Sequence, residues 1–134
     1  MFSDSSAPLY EIKANLFKGL AHPARVRILE ILAESPDQSC PVSELLEGTG
    51  LEASHLSQHL ATLRRHRVVT SVRSANTVTY SLANPKIAEL LAIARTFLLD
   101  TLTDTRKQLE AASALPPAGA AASAHASAHD GAAR

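Results

Sequence analysis

At 134 residues the chain is long enough for one domain with one core and too short for two ordinary ones. Hydrophobic residues make up 46% and aromatics 4%, so aliphatic side chains must fill that core, and no apolar run approaches the roughly 20 residues that a membrane span needs. Net charge is zero but unevenly spread: residues 1–51 carry four Lys/Arg against seven Asp/Glu, residues 52–80 carry four arginines against Glu52 alone, and residues 81–134 carry five of each.

Met1 to Pro8 holds neither a basic patch nor an apolar stretch, so it does not read as a secretory signal, and residues 1–7 are expected to be a flexible N-terminus. The single cysteine, Cys40, excludes an intramolecular disulfide and a Cys-rich zinc module. A cytoplasmic protein follows by default. Leu9, Ile12, Leu16, Phe17 and Leu20 recur at helical spacing and predict a first helix from about Pro8 to Ala21. After His22, Pro23 suits the first turn of a second helix, which Val26, Ile28, Leu29, Ile31 and Leu32 carry to about Glu34. Pro41 opens a short third helix with Val42, Leu45 and Leu46 inward, ending at Gly48-Thr49-Gly50, a sequence suited to a left-handed cap. A fourth helix, Ala53 to about His66, begins some two residues later, which makes the pair a helix-turn-helix candidate.

Two β-prone runs, Val68–Arg73 and Val78–Leu82, flank the polar Ser74-Ala75-Asn76-Thr77 and predict a β-hairpin, the wing of a winged helix-turn-helix. The turn lacks glycine, which suggests a longer or looser tip. Asn84-Pro85 starts a last helix, with a stripe of Ile87, Leu90, Leu91, Ala94, Phe97, Leu98 and Leu102, that reaches Glu110 or Ala112, roughly 40 Å at 1.5 Å per residue. So long an apolar surface exceeds what the domain can cover, and the remainder is expected to meet a partner subunit. The fold class is therefore mainly α with a two-stranded β-hairpin, over residues 8–112. Residues 113–134 are rich in Ala, Ser, Pro, Gly and His, cannot offset their ordering entropy, and are expected to be a disordered tail.

In the fourth helix Ala53, Leu56, Leu60 and Leu63 form one face that must pack on the core. Ser54, His55, Gln58, Thr62 and Arg65 lie opposite, with Ser57 and His59 on the flanks, and the set contains no carboxylate. Solvated helix faces ordinarily mix Glu with Lys. This one offers groups that bond base edges and phosphates, Gln58 being able to pair with adenine in the major groove. It sits inside the basic window 52–80, and a phosphate-facing surface needs only such a local patch. His59 reads as a half-buried packing or phosphate-bonding residue, and His22 as a helix-start residue.

The segments LFKGLAHPARVRILEIL, VSELLEGTGLEASHLSQHLATLRRHRVV and YSLANPKIAELL resemble the ArsR/SmtB family of bacterial winged-helix regulators, over about residues 9–102. The resemblance implies a repressor that binds as a homodimer to a two-fold double-stranded DNA operator and is released by a metal, a thiol oxidant or another signal. First and last helices would make the dimer, through Leu9, Ile12, Leu16, Leu90, Leu91, Ala94, Phe97 and Leu98. The family's base-reading positions fall on Ser54, His55, Ser57, Gln58 and His59, and its wing contacts on Arg73 and the tip residues to Asn76. Ala75 stands where the family usually has a wing-tip glycine.

Neither familiar metal site of the family is matched. One uses a thiolate pair, and the corresponding positions are Pro41 and Ser43, with Cys40 adjacent and alone. The other uses carboxylate and imidazole ligands on the last helix, where this chain has Asn84, Lys86, Phe97 and Asp100. Cys40, near a helix N-terminus, is a redox candidate because such a position stabilises a thiolate. His125 and His129, four apart in the tail, are weak candidates for nickel or zinc. No cofactor is expected otherwise, and no carboxylate pair, nucleophile–base arrangement or phosphate-binding glycine loop points to an enzyme. The alternatives are a nickel- or zinc-responsive regulator using a non-standard histidine site, or a winged helix serving as a protein-interaction module.

Overall fold

A computed structural model describes residues 7–114. Helices α1 (Leu9–Leu20) and α2 (Pro23–Glu34) are followed by a 3-10 turn at Pro36–Gln38 and strand β1 (Ser39–Pro41). Helices α3 (Val42–Thr49) and α4 (Ala53–Arg65) come next, then β2 (Val69–Ser74), β3 (Thr77–Leu82) and α5 (Lys86–Ala114). All five helices and both hairpin strands lie where the residue pattern predicts them, within a residue or two. The sheet differs from expectation. It has three strands in the order β1-β3-β2, both pairs antiparallel, because β1 joins the free edge of β3 with Cys40 opposite Tyr80. Proline cannot donate to a ladder, and Pro41 is tolerated here because β1 is an edge strand.

The chain divides into two compact units, the first ending at Ile93. At its centre lies α2, whose Ile28, Leu29 and Leu32 are fully buried. Leu45 of α3, Leu56, Leu60 and Leu63 of α4, and Val68, Val69, Tyr80 and Leu82 of the sheet region close around it. Leu16 of α1 and Ile87, Leu90 and Leu91 of α5 pack on the rim of this core. No charged side chain is buried among the described residues, and apolar burial, mostly aliphatic with Tyr80 and Cys40, holds the core. Near the end of α1, an added Cβ at Gly19 would run into the His66 ring, so glycine there lets the end of α4 approach this closely.

On α1 the side chains of Leu9, Tyr10 and Phe17 stay exposed. The second unit begins at Ala94 and is described by the remainder of α5. Phe97, Leu98, Leu99, Leu102 and Leu109 are exposed there, as is Ala94. Its one described ion pair, Arg106 to Glu110 at 3.0 Å, is an exposed i,i+4 pair of small energetic consequence. Among the described residues no helix is long and apolar enough to cross a membrane.

Candidate nucleic-acid interface

The turn between α3 and α4 is built by backbone chemistry. Gly50 takes φ 69°, a left-handed conformation, and its N–H donates to the Leu46 carbonyl at 2.9 Å, closing the end of α3. Thr49 donates its hydroxyl to the Leu45 carbonyl and accepts from the Leu51 N–H. Leu51 tucks against the core, which sets the direction in which α4 leaves the turn.

The faces of α4 then follow from helical spacing. Leu56, Leu60 and Leu63 are buried, and Ser54, His55, Ser57, Gln58 and Arg65 are exposed. Thr62 and His59 are half-buried on the flanks. Ala53, expected to face the core, is exposed, because the first residue of α4 lies beyond the edge of that core. The outward face presents hydroxyl, amide, imidazole and guanidinium groups and no carboxylate between Glu52 and the end of the helix. Arg65 donates to the Thr62 hydroxyl at 3.5 Å, while Arg64 reaches across to the Ser71 hydroxyl at 3.3 Å and ties α4 to the wing. The chain leaves α4 through Arg67 at φ 64°, where the Val68 N–H donates to the Leu63 carbonyl.

The wing is tighter than its lack of glycine suggests. Ser74 pairs with Thr77, so only Ala75 and Asn76 form the tip. Ala75 supplies the required geometry at φ 57°, a conformation that costs an L-residue roughly 1–2 kcal/mol. Arg73 and Asn76 are both exposed on this hairpin, and both line an open cavity of about 490 Å³ between the wing and the start of α3.

Beside α4 lies a group of cations and imidazoles that the linear sequence does not bring together. His22 caps α2, its Nδ1 accepting from the Ala24 N–H at 3.0 Å, in agreement with a helix-start role. Its ring lies 4.4 Å from that of His59, centroid to centroid. Arg25 donates from Nε to the Gly19 carbonyl at 2.7 Å and points Nη1 at His59 Nδ1, 3.5 Å away. Burial, with the nearby His22, Arg25 and His55, pushes the His59 imidazole below its ordinary range. Arg25 carries no sequence signal for this role; its partner stands 34 positions away.

Cys40 is buried, with Sγ 3.8 Å from a Glu44 carboxylate oxygen. Burial and the Glu44 charge push its thiol up, against the thiolate that a helix N-terminus alone suggests. Asn84 spends its side-chain oxygen on the Lys86 N–H at 2.8 Å, capping α5, and Lys86 and Phe97 offer no ligand atom at neutral pH. Among the described residues there is also no cluster of three or more His, Cys, Asp or Glu able to hold a metal ion. His125 and His129 lie outside the described residues.

Comparison with known proteins agrees with this geometry. The profile described as bacterial regulatory protein, arsR family, matches residues 22–71. The chain is 55% identical over 106 residues to the uncharacterized HTH-type transcriptional regulator Rv0081 of Mycobacterium tuberculosis, covering 78% of this chain and 90% of that protein. The crystal structure of Rv0081 aligns with a TM-score of 0.67 at 53% identity, over 75% of this chain and 98% of that one. A homodimeric winged helix-turn-helix DNA-binding domain, Mb0332 of Mycobacterium bovis, aligns with a TM-score of 0.65 at 27% identity, over 75% and 90%. The transcriptional repressor BigR from Xylella fastidiosa aligns with a TM-score of 0.60 at 31% identity, over 72% and 95%.

Proposed function

The chain belongs to the arsR family of bacterial regulatory proteins, and from that premise we propose that it is a homodimeric transcriptional repressor, not an enzyme, that reads a two-fold operator with α4. One observation carries this: the exposed face of α4 is free of carboxylates, rich in base- and phosphate-bonding groups, and flanked by a wing bearing Arg73. In this reading α4 lies in the major groove. Gln58 pairs with a base edge, Ser54, His55 and Ser57 bond bases or phosphates near the helix start, and His59, Thr62 and Arg65 line the flanks. Arg73 and Asn76 on the wing contact the adjacent backbone.

Two such helices linked by a dimer interface match half-sites about one helical turn apart. Leu9 and Ile12 of α1 and Ala94, Phe97 and Leu98 of α5 would make that interface. Leu16, Leu90 and Leu91, already packed on the core of their own chain, would support it from beneath. The homodimeric state of Mb0332 is a precedent for a dimer, though not for which helices make it. Release from DNA does not run through the family's two metal positions, since Pro41, Ser43, Lys86 and Phe97 cannot supply the ligands. Burial of Cys40, with the rise that burial and Glu44 impose on its thiol, argues against a sensing role for it.

The test is binding to DNA from upstream of the protein's own gene, against random duplex of equal length. Gln58→Ala is expected to cost about 1–3 kcal/mol on the operator and much less on random DNA. Arg73→Ala should weaken both alike and lower the salt slope by about one. Normal operator binding by Gln58→Ala removes α4 from the major groove.

A further inference from the structure

The two Nδ1 atoms of His22 and His59 are both occupied by N–H donors. Ala24 N–H donates to the first at 3.0 Å, and the Arg25 guanidinium, which has only donors to offer, faces the second at 3.5 Å. A ring nitrogen that accepts carries no proton, so in each ring the proton sits on Nε2. Each imidazole is thereby left with one fixed N–H donor and no competing tautomer while these bonds hold. The rings are 4.4 Å apart and inclined at 47°, His22 exposed and His59 half-buried on the flank of α4.

We propose that His22 and His59 form a two-donor clasp for one backbone phosphate of the operator, beside the base-reading face of α4. The inference rests on the DNA-binding reading above and adds to α4 a contact from the start of α2. With the ring centroids 4.4 Å apart, the proposal requires both Nε2 donors to meet the oxygens of a single phosphate group. The charged and titratable groups bearing on His59 are His22 and Arg25 from the α1–α2 side and His55 one turn earlier on α4. None of these is a carboxylate, so the clasp is prepared for an anion without containing one. Arg25, bound to the Gly19 carbonyl at 2.7 Å, is a positioning residue that holds His59 in its acceptor role and places a full charge behind the clasp.

The His59 side of the clasp favours the neutral ring. Protonating His59 would cost it the Arg25 contact and set two cations side by side, and burial already pushes its imidazole down. A neutral donor contacts phosphate without releasing an additional counterion. Contact to phosphate also carries no base information.

The experiment measures affinity of the full-length protein for its upstream DNA and for random duplex, as a function of salt, at pH 7 and pH 8. His22→Asn keeps a side-chain oxygen to cap Ala24 and removes the Nε2 donor. It is expected to bind both duplexes about 3–10-fold more weakly, with an unchanged thermal midpoint, an unchanged salt slope and the same penalty at both pH values. His59→Leu, which keeps an apolar body on the flank of α4, should show the same loss of affinity on both duplexes and the same salt slope. Wild-type affinity in His22→Asn overturns the proposal. So does a loss confined to the upstream DNA, which would mean a base contact, or a loss that grows from pH 8 to pH 7, which would mean an imidazolium. If the unaltered protein shows no preference for its upstream DNA, the DNA-reading function itself fails, and that result is distinct from any of these.

Discussion

Phe97→Asp tests the dimer most directly. In the single chain Phe97 is 66% exposed, midway along an apolar run that nothing among the described residues of its unit covers. A phenylalanine presents about 200 Å² of accessible surface, so roughly 130 Å² per copy is left for a partner to bury. At about 25 cal/mol per Å² that is roughly 3 kcal/mol per subunit and 6 kcal/mol for a symmetric pair. The substitution forfeits this and adds the cost of placing two unpaired carboxylates in an apolar contact. Each 1.4 kcal/mol is tenfold in an equilibrium constant, so the dimer dissociation constant should rise by about four orders of magnitude or more. Sedimentation velocity at micromolar protein should then show a monomer, with a far-ultraviolet circular dichroism spectrum close to that of the unaltered chain. Operator affinity should fall with it, because a monomer presents only one recognition helix. A variant that remains dimeric at the unaltered dissociation constant would place the interface away from this part of α5 and refute the reasoning.

Ala75→Gly should stabilise the protein by up to about 1 kcal/mol, since relief of the left-handed conformation outweighs the extra freedom that glycine has when unfolded. Urea unfolding reads this out, and a loss of stability would show that the tip does not need positive φ. Gly19→Ala drives a Cβ into the His66 ring and should cost about 1–3 kcal/mol, with much of it recovered when His66→Ala is added. The lowered pKa of His59 fixes the sign of one pH effect: its contribution is complete above the ordinary histidine value of about 6.5 and is lost as pH falls through the lower folded value. Stability measured from pH 7.5 down to 5 should therefore fall, and His59→Gln should flatten the decline. A decline unchanged in His59→Gln assigns the acid sensitivity to other groups.

Much of the fold and of the candidate interface is legible in the order of the residues. The positions of α1 to α5 follow from apolar spacing, from Pro23 at a helix start and from Gly50 at a helix end. These are local devices acting within one or two turns of chain. The outward set of α4 is equally local, because once Leu56, Leu60 and Leu63 are assigned inward, 3.6 residues per turn places Gln58 and Ser54 outward. Helical spacing misleads at Ala53, where the residue lies past the end of what the helix packs on.

By itself, then, the amino-acid order determined which segments are helical, where the wing lies and which groups α4 shows to a ligand, because each of these depends on neighbours a few positions away. Tertiary structure alone decided the rest. A three-residue strand containing Pro41 has too little periodicity to be recognised, and exists because β3 offers it a free edge some 40 positions later. Ala75 takes a conformation that its side chain disfavours because the paired strands close on it. The thiol of Cys40 is pushed up by burial and by Glu44, overriding the effect of the adjacent helix start. The pairing of His22 with His59, and the guanidinium that fixes it, comes from packing α1 and α2 against α4. Contacts of this kind are set by which apolar faces meet in the core, and no local spacing encodes them.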